Sequence, residues 1–393
     1  MLLLEADGKR LLSEAGIAVP RGVRVRESQA VPALPGQGSW IAKAQVPVGG
    51  RGKAGGVRRV ADGAGLPAVL DALFGLRIKG CRARDVLVEE ACAGAEHYLA
   101  LMVDASAGGI RLIHSPQGGV DIEAHAATGQ GFNELLPLDE AALRGAVRRM
   151  SAQAAPALRA GLQEVGERLV AMFLAHRLML AEINPLFAQE DGRFVAGDAK
   201  VVVDMNAVDA ASPVRAILAE QRDLYPDAWR KLSEDFDFVE IDPAGRVGLV
   251  TTGAGLSMML IDELVGQGIA PFNFCDMRTG QMRGSPERLL RIFDWLAAAP
   301  DVQVVLVNIF AGITDLSEFT QLLVDALQAR PECRWPIVAR LVGNGEEQAR
   351  AIIARHPELP IVFEPDLQQA IARVGRLLGK ASCTQEQGAL HAV

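Results

Sequence analysis

Most of what this sequence holds in short supply excludes something. Only 5% of its 393 residues are aromatic and 20 are proline, beside 50% hydrophobic and 22% charged residues. Disordered, collagen-like and disulfide-scaffold chains are thereby excluded. The five cysteines (Cys81, Cys92, Cys275, Cys333, Cys383) are odd in number, far apart and form no C-x-x-C pair. That spacing favours neither a disulfide framework nor a zinc site, and a reducing, cytoplasmic setting fits best. Lysine and arginine total 40 against 48 acids, a net charge of −8. There is no electrostatic ground for a nucleic-acid partner, although a small anion can be held locally. No run reaches the roughly 18 apolar residues of a membrane span, and Glu5 comes too early for a signal-peptide core. The expectation is a cytoplasmic protein without a membrane anchor.

What is present is an α/β pattern in two parts. Residues 11–18 end a short amphipathic helix at Gly16 and Pro20. Residues 40–46 read as a strand, 49–56 as a glycine loop and 57–60 as a second strand. A helix is predicted at 66–76, strands at 85–90, 97–103 and 110–114, two helices within 138–177, and a hairpin at 178–204. The polar stretch 224–242 is expected to connect two domains. Beyond it, apolar strands at 247–250, 271–274, 302–309 and 335–341 alternate with helices such as 256–266. That alternation predicts a doubly wound parallel sheet with helices on both faces. The domains are expected at 1–235 and 240–380, with a frayed tail at 381–393.

Three groups of residues carry possible chemistry. The first is the glycine loop. Gly50-x-Gly52-x-x-Gly55 spells a dinucleotide fingerprint, but a strand rather than a helix follows it; a Walker loop fails because Pro47 and Ala54 stand at required Gly and Ser/Thr positions. The loop remains readable as a flap over a polyphosphate, with Lys43, Arg51 and Lys53 at hand, or as a plain exposed hairpin. The second is the hairpin. Centring it on Asp191 pairs Asn184 with Asp198 and Glu182 with Lys200 on one face, an oxygen-rich set suited to Mg²⁺. The alternative is a solvated strand face. The third comprises the strand-to-helix turns Thr252-Gly253-Ala254-Gly255 and Gly312-Ile313-Thr314, placed where a doubly wound sheet binds anions, or ordinary punctuation.

Together these residues resemble the β subunit of succinyl-CoA synthetase, an ADP-forming acid–CoA ligase family. The match runs from Glu5 and Lys9 to about Leu378. It includes Lys43-x-Gln45-Val46 with Gly49-Gly50-Arg51-Gly52-Lys53-Ala54-Gly55-Gly56, Val88-Glu89, Glu96-x-Tyr98, Gly118-Gly119-Val120-Asp121-Ile122-Glu123, Glu182-Ile183-Asn184-Pro185-Leu186, Asp198-x-Lys200, Gly253-Ala254-Gly255-Leu256, Asn308-Ile309-Phe310 and Arg340-Leu341-x-Gly343-Asn344. The resemblance implies an N-terminal ATP-grasp fold and a C-terminal flavodoxin-like domain. It implies that Lys43, Gly50, Arg51, Gly52, Glu89, Cys92 and Glu96 hold ATP or GTP, with Lys43 on the phosphates and the acids near base and ribose. Asn184 and Asp198 would hold Mg²⁺, and Glu182 would steady a catalytic histidine during its phosphorylation. Thr252, Gly253, Gly255, Gly312, Ile313 and Thr314 would hold the acid or phosphate.

That histidine belongs, in the family, to a separate α subunit that also binds CoA. None of His97, His114, His125, His176, His356 or His391 lies in a glycine-rich loop of the phosphohistidine kind. The chain is therefore expected to act with such a partner, as αβ or α2β2, on a small carboxylic acid. Three departures bear on the acid: Thr252 replaces a family Asn, Ala311 a family Gly, and Met277-Arg278-Thr279-Gly280-Gln281-Met282-Arg283 a triple-glycine stretch. The arginines are either a surface change or new donors for a bulkier acid such as malate, citrate or a sulfonated analogue, the reading favoured here being the second. The competing readings are a regulatory paralogue without turnover and a stand-alone carboxylate–amine ligase.

Overall fold

The structure, a computed structural model, describes every residue except 32, 35, 37, 119–130, 283, 313 and 380–393. The expected tail at 381–393, Ile313, Arg283 and most of the Gly118–Glu123 motif lie outside the described residues. The chain divides into two compact units, Met1–Leu224 and Tyr225–Val393.

The first unit opens with helix Glu5–Glu14, left through Gly16 at φ 83°. It then builds two antiparallel sheets. The smaller has the order Gly22–Arg26, Asp85–Glu90, Trp40–Gln45, Val57–Val60. Helix Leu66–Gly75 covers one face with Leu66, Leu70 and Leu73, packed on Val25, Ala42, Ala44, Val86 and Val88. Strand, glycine loop and strand follow as the sequence predicts: Lys43 faces Val57 across the ladder, and residues 46–56 form the loop.

The larger sheet has the order Phe194–Ala196, Leu178–Ala188, Ala95–Asp104, Gly109–Ser115, Phe132–Leu136, with Lys200–Val203 also paired to Leu178–Ala188. Helices Glu140–Gln153 and Arg159–Ala175 pack against each other and against this sheet. They approach so closely that a Cβ on Gly166 would stand 2.7 Å from Val147 Cγ1. A side chain at 166 would therefore push them apart.

The second unit is built on four parallel strands in the order Val247–Thr251, Val304–Ala311, Ile337–Gly343, Ile361–Phe363. Alternate side chains feed two cores. Val305, Val307 and Ile309 pack with Leu289, Phe293, Phe319 and Leu323, whereas Val304 and Leu306 pack with Leu260, Leu264, Ile371 and Val374. Helices therefore lie on both faces, as the period-two burial of a parallel sheet requires.

Two expectations need correction. The stretch 224–242 is not a linker: it holds helix Pro226–Glu234 and strand Asp237–Glu240, which pairs antiparallel with Asn273–Asp276. Its charges hide buried aromatics. Phe236 and Phe238 are each 1% exposed, Phe238 lies 4.8 Å from the Trp295 ring, and the Arg230 guanidinium sits 5.3 Å above Trp295. The stretch 271–274 is likewise no regular member of the parallel sheet. It meets Val247 by one bridge at Pro271, and beyond it the Asn273 side chain donates to Leu249 O at 2.9 Å and accepts from Leu249 N–H at 2.8 Å.

Candidate active site

Within the first unit a cleft of about 800 Å³ is lined from both sheets. That volume suits a nucleotide. Its walls include Lys43, Gly50, Arg51, Gly52, Glu89, Cys92 and Glu96, together with Glu182, Asn184, Asp198 and Lys200, and apolar Ile41, Val48 and Phe187. The fold thus gathers into one cleft two groups of residues that lie far apart in sequence.

The hairpin arithmetic holds where it can be read. Leu186 faces Ala196 and Glu182 faces Lys200, but the ladder is broken between them, where Pro185 has no N–H to give. Asn184 and Asp198 fall in that break, so neither is a regular ladder partner. Gly197 N–H still reaches Pro185 O at 2.9 Å. Only glycine fits there, because a Cβ would stand 2.3 Å from Phe187 Cε2.

The Gly197 carbonyl in turn anchors a buried charge cluster. It accepts from Lys43 Nζ at 2.5 Å and Lys9 Nζ at 2.9 Å. Glu89 takes Lys43 at 2.6 Å and Lys9 at 2.5 Å. Glu5, with its side chain fully buried, lies 3.0 Å from Lys9, 2.8 Å from Lys43 and 2.7 Å from Arg51. Arg51 reaches on to both Asp198 oxygens, at 2.9 and 3.1 Å. Three cations and three carboxylates thereby balance at the wall of the cleft, every side chain except that of Asp198 being at most 12% exposed.

The surroundings decide each protonation state. Burial opposes ionisation of Glu5, yet Lys9, Lys43 and Arg51 overcome it and hold the carboxyl well below the usual carboxylate range. Burial likewise disfavours charge on Lys43, but Glu5, Glu89 and Asp198 raise its pKa on balance. Asp198 moves the other way, pushed up by burial and by Glu5 despite Arg51. Burial also raises Glu182, opposed by Lys200 at 3.7 Å and by a hydrogen bond from the Tyr98 hydroxyl. Cys92 is pushed up by burial and then by Glu89, so its thiol stays protonated.

Sequence reasoning missed Glu5 and Lys9 as members of this cluster. They are spaced i, i+4, and Leu12 shares their helical face. Charged residues on a face that elsewhere points inward were the available signal. Glu89, expected near base or ribose by resemblance, is held by two lysines on the side of the cleft where Lys43 stands.

A metal site fits the chemistry of the residues present. Asp198 offers a carboxylate and Asn184 an amide oxygen, and Asp198 already holds a cationic group in Arg51. That donor set suits Mg²⁺, which draws its other ligands from phosphate and water. Among the described residues no group of three or more His, Cys, Asp or Glu is placed to hold a metal unaided.

In the second unit, three turns at the carboxyl edge bring hydroxyls together. Thr279 Oγ1 lies 3.0 Å from Thr314 Oγ1 and 3.5 Å from Thr252 Oγ1. Open space surrounds Gly253, Gly255 and Gly312 where a Cβ would stand. Gly253 N–H is already given to Asp276 Oδ1 at 2.8 Å, which changes the expected anion cradle. The Arg278 guanidinium pairs with Asp235 at 3.3 Å and Asp237 at 3.4 Å.

Residues 2–188 match the family model of the ATP-grasp domain, and residues 250–362 that of CoA-ligase. The chain is 34% identical to the succinate–CoA ligase [ADP-forming] subunit beta of Halorhodospira halophila, over 97% of this chain and 100% of that one. It is 32% identical to the succinate–CoA ligase [GDP-forming] subunit beta of Thermus thermophilus, with the same coverage. Among solved structures, the ATP citrate lyase of Methanothrix soehngenii, in complex with citrate and coenzyme A, shares the fold at TM-score 0.68 and 19% identity, over 96% of this chain and 99% of that one. No helix among the described residues is long and apolar enough to cross a membrane.

Proposed function

Since the chain belongs to the family of succinate–CoA ligase β subunits, an ADP-forming acid–CoA ligase, we propose that its cleft binds a magnesium nucleotide and passes the γ-phosphoryl group to a histidine of a separate α subunit. The observation that carries this reading is the meeting of Lys43 and Arg51 with Asn184, Asp198 and Glu182 in one cleft. Cations there receive the phosphates, while the glycine loop, with Gly50 and Gly52 free of side chains, lets backbone approach them. Glu96 and the apolar wall of Ile41, Val48 and Phe187 are left for the base and ribose.

Asp198 and Asn184 would hold the metal, which when bound neutralises charge on the phosphates. Glu182 accepts a hydrogen bond from an incoming imidazole N–H and so orients the other ring nitrogen toward the phosphorus, with Lys200 and Tyr98 fixing the carboxylate. Positioning and charge neutralisation supply the rate. The partner would then carry the phosphoryl group to a small carboxylic acid, and CoA would displace phosphate from the acyl phosphate. The hydroxyls of Thr252, Thr279 and Thr314, with open Gly253, Gly255 and Gly312, are assigned to the acid.

The test is co-expression with a candidate α chain of the same organism, followed by thioester formation from CoA, ATP or GTP, and a panel of succinate, malate, citrate and sulfonated acids. Thioester with nucleoside diphosphate release supports the reading and names the acid. Asp198→Ala should abolish metal-dependent phosphorylation of the α chain while leaving the circular dichroism unchanged. Full phosphorylation in that variant refutes the metal assignment.

A further inference from the structure

Asp198, the carboxylate a metal would need, is engaged at both oxygens. Arg51 Nη2 holds them at 2.9 and 3.1 Å, and Ala199 N–H donates to Oδ1 at 2.7 Å. The other prong of the same guanidinium, Nη1, rests 2.7 Å from Glu5 Oε2, and the Arg51 side chain is only 12% exposed. A planar fork used at both ends has a fixed geometry, unlike a freely waving surface arginine.

The two ends differ in how they are held. Glu5 lies in a helix and is held from the other side by Lys9 and Lys43. Arg51 rides on the glycine loop, where Gly49, Gly52 and Gly55 have no atom within 4 Å of a built Cβ and Gly50 meets only the end of Lys79. Arg51 is thus held mainly by its own side chain and by its carbonyl, which accepts from Gly56 N–H at 2.8 Å, with no packing on Gly49, Gly52 or Gly55, whereas Glu5 is fixed by its helix. A carboxylate whose oxygens are taken up by a guanidinium and a backbone N–H is poorly placed to accept a divalent cation as well, and the two cations would repel each other across it.

We propose that Arg51 is a latch on Asp198, a positioning residue that denies the carboxylate to a divalent metal until nucleotide phosphates draw the guanidinium away. This rests on the reading of Asp198 and Asn184 as metal ligands. Nucleotide and metal then bind with positive coupling, and the coupling is reciprocal. Free metal scarcely occupies the empty cleft, and the glycine loop is released from the sheet that carries Asp198 in the same step.

Electron paramagnetic resonance of Mn²⁺ with the full-length chain tests this without turnover. Wild type should bind Mn²⁺ alone weakly, and Arg51→Met should bind it about 10-fold more tightly, within the usual range of a coupling. Adding Asp198→Asn to Arg51→Met should abolish the gain. Arg51→Lys keeps the charge but loses the fork, so it should show a smaller gain; it also serves if Arg51→Met does not fold. Equal Mn²⁺ affinity in wild type and both Arg51 variants overturns the latch. If Asp198→Asn alone leaves Mn–ADP binding unchanged, the metal assignment fails and the latch with it; if it weakens Mn–ADP while the Arg51 variants show no gain, the latch alone fails.

Discussion

Glu5→Gln removes one charge from the cluster at almost constant shape. It leaves Lys9, Lys43 and Arg51 facing only Glu89 and Asp198, with Glu5's three contacts of 2.7–3.0 Å reduced to neutral hydrogen bonds at best. Breaking a buried ion pair from one side costs about 3–5 kcal/mol, because the stranded charge stays out of water. That is about two to four decades in the local opening equilibrium. Hydrogen exchange of amides in Trp40–Gln45 and Asp85–Glu90 reports the first unit without interference from the second. Those amides should exchange correspondingly faster in Glu5→Gln, and Lys9→Met added to Glu5→Gln should restore part of the loss by rebalancing the charge. The pH dependence has a definite sign. The Glu5 carboxyl is depressed in the folded state, so its contribution is present above the unfolded carboxylate pKa and is lost as pH falls through the folded value. Glu5→Gln should flatten that acid limb. Exchange within about 1 kcal/mol of wild type, or an unchanged acid limb, would refute the counterion role.

Lys200→Met should move the acid limb of α-chain phosphorylation to higher pH, because Lys200 is the cation that offsets the burial of Glu182; a pH–rate profile coincident with wild type would count against Glu182 as the ionised positioning group. His114, whose Nε2 is 3.1 Å from His97 Nδ1, is pushed down to about 4 by burial and then by His97. The native protein therefore keeps it neutral while the unfolded chain protonates below 6.5, and stability should fall by about 3 kcal/mol between pH 6.5 and 4 from this group alone. His114→Leu should flatten urea midpoints over that interval, and an equally steep fall in the variant would show the histidine is not responsible. Thr279→Val removes the central hydroxyl of the threonine cluster and should raise KM for the acid about 5-fold, the effect of about 1 kcal/mol, without changing KM for nucleotide; an unchanged acid KM removes that cluster from the site.

What was legible in the sequence depended on how local the signal was. The glycine loop between residues 45 and 57 and the strand Asp85–Glu90 follow from short-range pattern alone. The hairpin register followed from a three-residue turn, and the Glu182–Lys200 pairing stands as read. The break at Asn184–Pro185 was less visible, since counting along a hairpin assumes an unbroken ladder and a proline on one strand interrupts it. The helix and strand after Leu224 were hidden because charge dominates composition there while Phe236 and Phe238 dominate burial. A low aromatic content makes each ring weigh more in packing, and averages over a window dilute that.

The charge cluster shows why a site can be assembled from legible parts and still escape reading. Glu5 and Lys9 in isolation are an i, i+4 pair, worth a few tenths of a kcal/mol on a solvated helix. Packed against the Glu89 strand and the Gly197 turn, the same pair becomes part of a six-membered balance in which no charge can be removed without stranding another. Its energetic weight comes from exclusion of water, a property of the contact between two sheets rather than of any segment. The same exclusion makes Arg51 informative. Were it solvated, its contact with Asp198 would be an ordinary surface pair; held between Glu5 and Asp198, it ties the glycine loop to Asp198, and under the proposed metal role of that carboxylate, binding has to break the tie.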